Sequence, residues 1–373
     1  MPATVHFADL RSTTRQDLLR KLDRLVAAVD LGGKVTKGDL VAIKVHFGER
    51  GNTAYVRPIF VRRVVERVRA AGGKPFLVDT NTLYVGSRGE SASHHETALA
   101  NGFDWASVGA PVVIGGGIRG TRAISVPVGL PHYAEVEIAP EIADADVLVA
   151  VTHFKGHEMS GFGGALKNLG MGAASRQGKL SMHSTSSPAV HAELCTACAS
   201  CRRWCAFGAI AMPEGGPAVI DPERCSGCGA CLPTCPAGAI RISWDQGSRD
   251  MQERMVEYAY GAISPKGGRA VFLNFLMNIS PLCDCYPFAD APLVPDVGIL
   301  AATDPVALDQ ASADLVNLQP GHPLSAHAAE LGPGADKFRA AAPAVDWEVQ
   351  LDHAERIGLG TRAYELVTLP GAG

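Results

Sequence analysis

The sequence has no uninterrupted apolar run long enough to span a bilayer, and its opening, MPATVHFADLRS, has no basic segment leading into an apolar one. Neither a membrane span nor a secretory leader is therefore expected. Charge is sparse: 19% of the 373 residues are charged, the formal net charge is -4, and no Lys/Arg run is present that would neutralise a phosphate backbone. Nucleic acid is accordingly not expected as a partner. The 41 glycines and 24 prolines follow no fixed period, which excludes a collagen-like repeat, and a hydrophobic content of 47% excludes general disorder. What remains is a globular chain with material for two or three domains, expected in the cytoplasm.

Ten cysteines stand out against this background, eight of them between Cys195 and Cys235. In a reducing compartment so dense a cluster reads as metal ligation rather than as disulfides. Cys195, Cys198, Cys201 and Cys205 form C-x2-C-x2-C-x3-C, and Cys225, Cys228, Cys231 and Cys235 repeat it thirty positions later. The surrounding text repeats as well, CTACASCRRWCAFGAI against CSGCGACLPTCPAGAI, so the block is an internal duplication. Three closely spaced thiolates can hold three irons of a cubane, while the fourth points away and serves the other cluster. The spacing therefore predicts two [4Fe-4S] clusters, one on Cys195, Cys198, Cys201 and Cys235, the other on Cys225, Cys228, Cys231 and Cys205. Paired structural zinc sites would leave the third cysteine of each triplet unexplained.

Residues 191–245 resemble a bacterial two-cluster ferredoxin module with every ligand position filled. Pro236 follows Cys235 as that pattern expects, whereas Ala206 stands in the equivalent place of the first half. Both clusters would be closed to substrate, so the module reads as a wire for single electrons.

On either side of this block, apolar strand-like runs alternate with amphipathic helix-like ones, the grammar of an α/β protein with a mostly parallel sheet flanked by helices. Strands are expected at Leu40–Val45, Pro75–Asp79, Pro111–Ile114, Ala123–Val128, Ala145–Thr152, Ala270–Phe275 and Val297–Leu300. A helix is expected from about Arg57, with Pro58 in its first turn and Gly72 and Gly73 ending it. Asp304 and Pro305 open another that runs to about Leu318. The simplest organisation is one α/β body, residues 1–190 and 246–373, interrupted by the ferredoxin-like segment at 191–245.

In open parallel sheets ligands bind beyond the carboxyl ends of the strands. His46, Glu49 and Asn52 follow one expected strand, Asp79, Asn81, Tyr84 and Arg88 a second, and His153, Lys155 and His157 a third; His183 lies further on. The stretch His153 to Gly172, HFKGHEMSGFGGALKNLGMG, is rich in glycines. They either let backbone N–H groups approach an anion neutralised by Lys155 or Lys167, or serve tight packing alone. It is not a Walker A loop. Gly115, Gly117 and Gly120 match GxGxxG, but strand-like TRAISVPV follows where a dinucleotide site needs a helix N-terminus. Cys283 and Cys285 flank Asp284, so in an extended segment both sulfurs share a face. They read as a third metal or iron-sulfur centre completed by His153 and His157, as a redox-active dithiol, or as buried structural thiols.

The segments KVHFGERGNTAYVRP, DTNTLYVGSR, HFKGH through GMG, the ferredoxin-like block and CDCYPFADAPLVPDVGILAATDPVALDQAS together resemble the ferredoxin-containing branch of the family called domain of unknown function 362. That resemblance implies an α/β body carrying a two-cluster ferredoxin and implies no particular reaction. The expected function is an iron-sulfur oxidoreductase. It would take electrons from an external low-potential donor (ferredoxin, flavodoxin or a reductase) to a small anionic substrate or a third metal centre in the α/β body, with Lys155, His157, Lys167 and His46 as candidate catalytic groups. The rivals are a non-enzymatic electron carrier that docks a partner protein and a protein that handles metals or clusters.

Overall fold

The computed structural model describes residues 2–84, 86–184, 187–242 and 247–369; the expected boundary between residues 245 and 246 lies outside them. Eight strands form one sheet: β1 (Ala3–Asp9), β2 (Leu40–Val45), β3 (Lys74–Thr80), β4 (Val112–Gly115), β5 (Val147–His153), β6 (Ala270–Leu276), β7 (Gly298–Ala302) and β8 (Tyr364–Thr368), in the order β8-β1-β7-β6-β5-β2-β3-β4. Every neighbouring pair is parallel except the two that involve β7. The sheet is thus mostly parallel, as expected, and draws strands from both sides of the cysteine-rich segment.

Alternation explains the two layers that cover it. Ala42, Leu148, Ala150 and Phe272 turn to one face, where they meet helices α5 (Ser248–Ile263) and α6 (Pro305–Asn317). Val41, Ile43, Val149 and Leu273 turn to the other, against α1 (Leu18–Ala28) and α2 (Pro58–Ala70). Strands buried on both faces read as continuous apolar runs, which is why β2, β5 and β6 are plain in the sequence. Each fully buried Val, Ile or Leu contributes roughly 1.5–3 kcal/mol. Helix α2 begins at Pro58 after Arg57, and α6 is capped by the Asp304 carboxylate, which accepts from the Val306 and Ala307 amides.

The expected strand near Ala123–Val128 forms at Ile124–Pro127, but it pairs in a separate hairpin with Glu135–Ile138. Strands β1 and β8 lie at the edge beyond β7. Two short helices matter below, α3 (Ala165–Gly170) and α4 (Arg176–His183). Among the described residues no helix is long and apolar enough to cross a membrane.

Among the described residues, the strands of the cysteine-rich segment form two-stranded pieces, Ala189–Val190 with Ile240–Arg241 and Ile210–Ala211 with Val219–Ile220, beside a one-turn helix at Ser200–Arg203. Its repeat is structural as well as textual. Ala197 and Ala199 hold left-handed backbone (φ 54° and 58°), and Gly227 and Gly229 hold the same conformation thirty residues on (φ 69° and 66°).

Candidate active site

Strands β2, β3, β5 and β6 run in the same direction, so the loops that follow them converge on one edge of the sheet. There they enclose a cavity of about 730 Å³. Its lining includes His46 and Glu49 after β2, Tyr84 and Arg88 after β3, Lys155 and His157 after β5, and Cys283 and Cys285 in the return from β6 to β7. Lys167 from α3 and Lys179 and His183 from α4 complete it. Residues far apart in sequence and singled out above thus meet in one place. Asn52 and Asn81 are not in the lining. The Asn52 amide donates to the Tyr286 and Phe288 carbonyls and fixes the cysteine loop from behind.

Burial makes the polar chemistry here costly unless it is paired. Lys44, a cation in the otherwise apolar strand LVAIKV, lies 3.0 Å from Asp79. Arg88 is 1% exposed. It reaches Asp79 (3.4 Å), Glu49 (3.2 Å) and the Tyr84 hydroxyl (2.6 Å). Burial raises the Asp79 pKa, yet Lys44, His46, His94 and Arg88 outweigh it and hold the carboxyl below the usual range. Lys155 donates to the His153 carbonyl at 2.9 Å and lies 3.5 Å from Asp284. Lys179 donates to Thr80 Oγ1 and, at 2.8 Å, to the Ala174 carbonyl. Among the described residues it forms no salt bridge, and burial pushes its pKa down to about 7.

The thiols are unlike each other. Cys285 Sγ accepts from the Cys283 thiol and lies 3.6 Å from His46 Nε2; these contacts bring its pKa well below the ordinary thiol value although burial opposes them. Cys283 is correspondingly raised by its bond to Cys285 and by burial. Lys167 Nζ is 3.5 Å from Cys283 Sγ, and the sulfurs keep this lysine charged against the effect of burial. Gly48 N–H donates to His46 Nδ1, and the Met159 and Ser160 amides donate to His157 Nδ1. The neutral rings therefore carry their protons on Nε2. Burial depresses the pKa of His157 strongly and that of His183 to about 3.

His153 is a correction. It does not line the cavity: Nδ1 lies 2.8 Å from Asp284 Oδ1, and Nε2 lies 3.0 Å from the carbonyl oxygens of both Met277 and Asn278. Both nitrogens face acceptors, so neither directs a lone pair at the sulfurs. The glycines of this stretch serve packing: a Cβ on Gly156 would lie 2.2 Å from the Pro281 carbonyl oxygen, and one on Gly170 2.2 Å from that of Met255. The start of α3 already has an anion, because the Asp309 carboxylate accepts from the Ala165 and Leu166 amides at 2.8 and 2.9 Å.

One His/Glu group outside the cavity, His132, Glu257 and His353, brings its ligand atoms within 4.8 Å of one another; among the described residues no group with Cys283 or Cys285 is as tight. His353 Nε2 lies 3.0 Å from Glu257, whose carboxylate also accepts from the His132 and Tyr133 amides, while His353 Nδ1 has no partner. A metal-bound histidine normally donates through its second nitrogen. The group is therefore a hydrogen-bonded fastening of the 132–133 loop to α5.

In the cysteine-rich segment, Cys195, Cys198, Cys201 and Cys235 surround one small void, the set predicted by the crossed pairing. The Ala209 and Ala239 amides donate to Cys205 and Cys235 Sγ, each at 3.2 Å, again thirty residues apart. Backbone N–H groups aimed at sulfur suit a thiolate donor set that holds a metal centre. This segment packs on the body through Leu83 and Leu180, which join Cys201, Leu232 and Ile240 in one apolar cluster. Leu83 also lines the cavity.

Fold and site together define an α/β protein with a cationic, thiol-bearing cavity beside a cysteine-rich segment. The chain belongs to the family described as Domain of unknown function (DUF362), whose profile matches residues 41–314. Among solved structures it is similar to the lactate racemase apoprotein from Thermoanaerobacterium thermosaccharolyticum, at 14% identity and a TM-score of 0.39 over 74% of this chain and 51% of that one. It is also similar to a structural-genomics target from Thermotoga maritima, at 12% identity and a TM-score of 0.36 over 71% and 52%. The chain spans about half the length of the solved chains it matches. No curated protein matches it.

Proposed function

We propose that this protein is an iron-sulfur oxidoreductase of the ferredoxin-containing DUF362 type. Two [4Fe-4S] clusters on the eight cysteines, in the crossed pairing, would carry electrons from an external low-potential donor protein to a small anionic substrate in the cavity. The observation that carries this reading is the shared wall, since Leu83 belongs both to the cavity lining and to the apolar core of the cysteine-rich segment. When bound, such clusters supply single electrons and offer no coordination position to substrate.

The remaining work falls to the chain's own side chains. Lys155, Lys167 and Lys179 attract an anion, and burial strengthens that attraction. His157 offers an Nε2–H hydrogen bond at the cavity, and Lys179, with its pKa near 7, exchanges a proton at neutral pH. Cys283 and Cys285 are read as a redox-active dithiol rather than as a third metal centre, because they already form a thiol–thiolate pair. Giving two electrons to the substrate would turn the pair into a disulfide and free the one thiol proton; two single electrons and one proton would restore the thiol–thiolate pair. Lys167 and His46 stand beside the sulfurs, Lys167 balancing their charge and His46 donating a hydrogen bond to Cys285 through Nε2.

Iron and labile sulfide counts on anaerobically purified protein test the proposal: about eight of each per chain are expected. Zinc in place of iron, or iron without sulfide, would overturn it. The double variant C283S/C285S is expected to keep the full iron content. Loss of metal there would instead place a third centre at these sulfurs.

A further inference from the structure

The two halves of the cysteine repeat do not meet the body equally. In the second half, a Cβ on Gly229 would lie 3.0 Å from Arg176 Cγ, one on Gly227 3.7 Å from Leu180, and one on Gly89 3.9 Å from Pro233. The turn that carries Cys225, Cys228 and Cys231 therefore sits on α4, the helix that also sends Lys179 and His183 into the cavity. In the first half, Cys198 is exposed, as is Phe207. Trp204 is covered on one face by Arg119, 3.6 Å from its ring. Trp204, the neighbour of the crossed ligand Cys205, thus stacks on the residue whose carbonyl accepts from Arg176.

Arg176 is the hinge of the arrangement. It is 1% exposed and has no carboxylate within salt-bridge distance among the described residues. Its guanidinium instead donates to the carbonyls of Arg119 (3.0 Å), Thr82 (2.5 Å) and Gly89. Thr82 lines the cavity. A buried positive charge with no carboxylate in contact favours whichever neighbouring group gains negative charge, and a cluster gains one on reduction.

We infer that the cluster on Cys225, Cys228, Cys231 and Cys205 is the one that hands electrons to the cavity, and that Arg176 holds its potential above that of the outer cluster. This rests on the proposed function. It gives the relay a direction: electrons enter at the exposed Cys198 side and run downhill toward Arg176 and the substrate.

The test is a potentiometric titration of the holoprotein followed by electron paramagnetic resonance, in which the two clusters give two one-electron steps. Ser200 Oγ lies 3.5 Å from Cys198 Sγ, so S200A marks the outer cluster by shifting its step alone. R176Q is expected to lower only the other step, at least tenfold in its reduction equilibrium, or about 59 mV for one electron. R176K, which keeps the charge, is expected to leave that step in place. E90Q removes an acid whose charge acts on Arg176 while still capping the helix over 91–100, and is expected to raise the same step. It decides the matter if R176Q does not accumulate as holoprotein. A shift of the S200A-marked step in either variant, or no shift in E90Q, overturns the inference. Protein that binds no iron overturns the proposed function itself, whereas two intact clusters with unmoved potentials overturn only this inference.

Discussion

Asp79 shows how much one side chain carries here. Its carboxylate answers Lys44 and Arg88 and lies 3.8 Å from His94, all buried. D79N leaves Lys44 without a carboxylate and Arg88 with Glu49 alone, and a loss of about 3–5 kcal/mol in denaturant unfolding is expected. The buried imidazoles set a pH dependence. His94, His157 and His183 are all harder to protonate folded than unfolded, the last with a pKa of about 3. Their contribution is complete above about pH 6.5, the unfolded value, and is lost as pH falls below it. Each costs about 1.4 kcal/mol per pH unit until its folded pKa is reached. Melting temperatures of the wild type are therefore expected to drop below pH 6.5, with a shallower slope in H183N. At Cys285 the thiolate is expected to persist well below the ordinary thiol pKa of about 8.5. Iodoacetamide should modify it with little pH dependence between 6 and 8, and H46A should restore a rising profile.

At the scale of elements, Asp309 joins α6 to α3. It caps α3 across a separation of more than a hundred residues and also accepts from the Asn274 amide at 2.8 Å. D309A removes cap and partner together, so a loss of about 2–3 kcal/mol is expected in chemical denaturation. The central strands were legible because burial on both faces leaves an unbroken apolar run; β2 runs from Leu40 to Val45, as the sequence indicates. Strands β1 and β8 were not, because half-exposed strands such as TVHFAD, next to the edge, and YELVT, at it, carry too little apolar signal to stand apart from loops. Placement after strand ends pointed to His46, Lys155 and His157, and the spacing of Cys283 and Cys285 to a shared face; all five line the cavity. Placement failed at His153 because β5 ends there and a new hairpin starts at Lys155, which breaks the alternation. Lys44 was missed although a lysine within LVAIKV is itself a signal. Lys179 had none, since only the packing of α4 buries it.

For the whole molecule, the large sheet uses strands from both sides of the cysteine-rich segment and none from within it. Replacing residues 191–242 by a short flexible linker is therefore expected to leave an α/β circular dichroism spectrum. The same change should bare Leu83 and Leu180 and abolish the iron binding proposed above; collapse of the spectrum would show that the segment is needed for the body to fold. The left-handed alanines have a consequence for the order of events when such a chain comes apart. Ala197 and Ala199 occupy a conformation that costs an L-residue about 1–2 kcal/mol, while Gly227 and Gly229 occupy it freely. Two turns of one shape thus differ in how tightly they are wound. In protein prepared without metal, the alanine turn is expected to release first, and amide exchange should spread from residues 195–201 outward while 225–231 stay closed against the body.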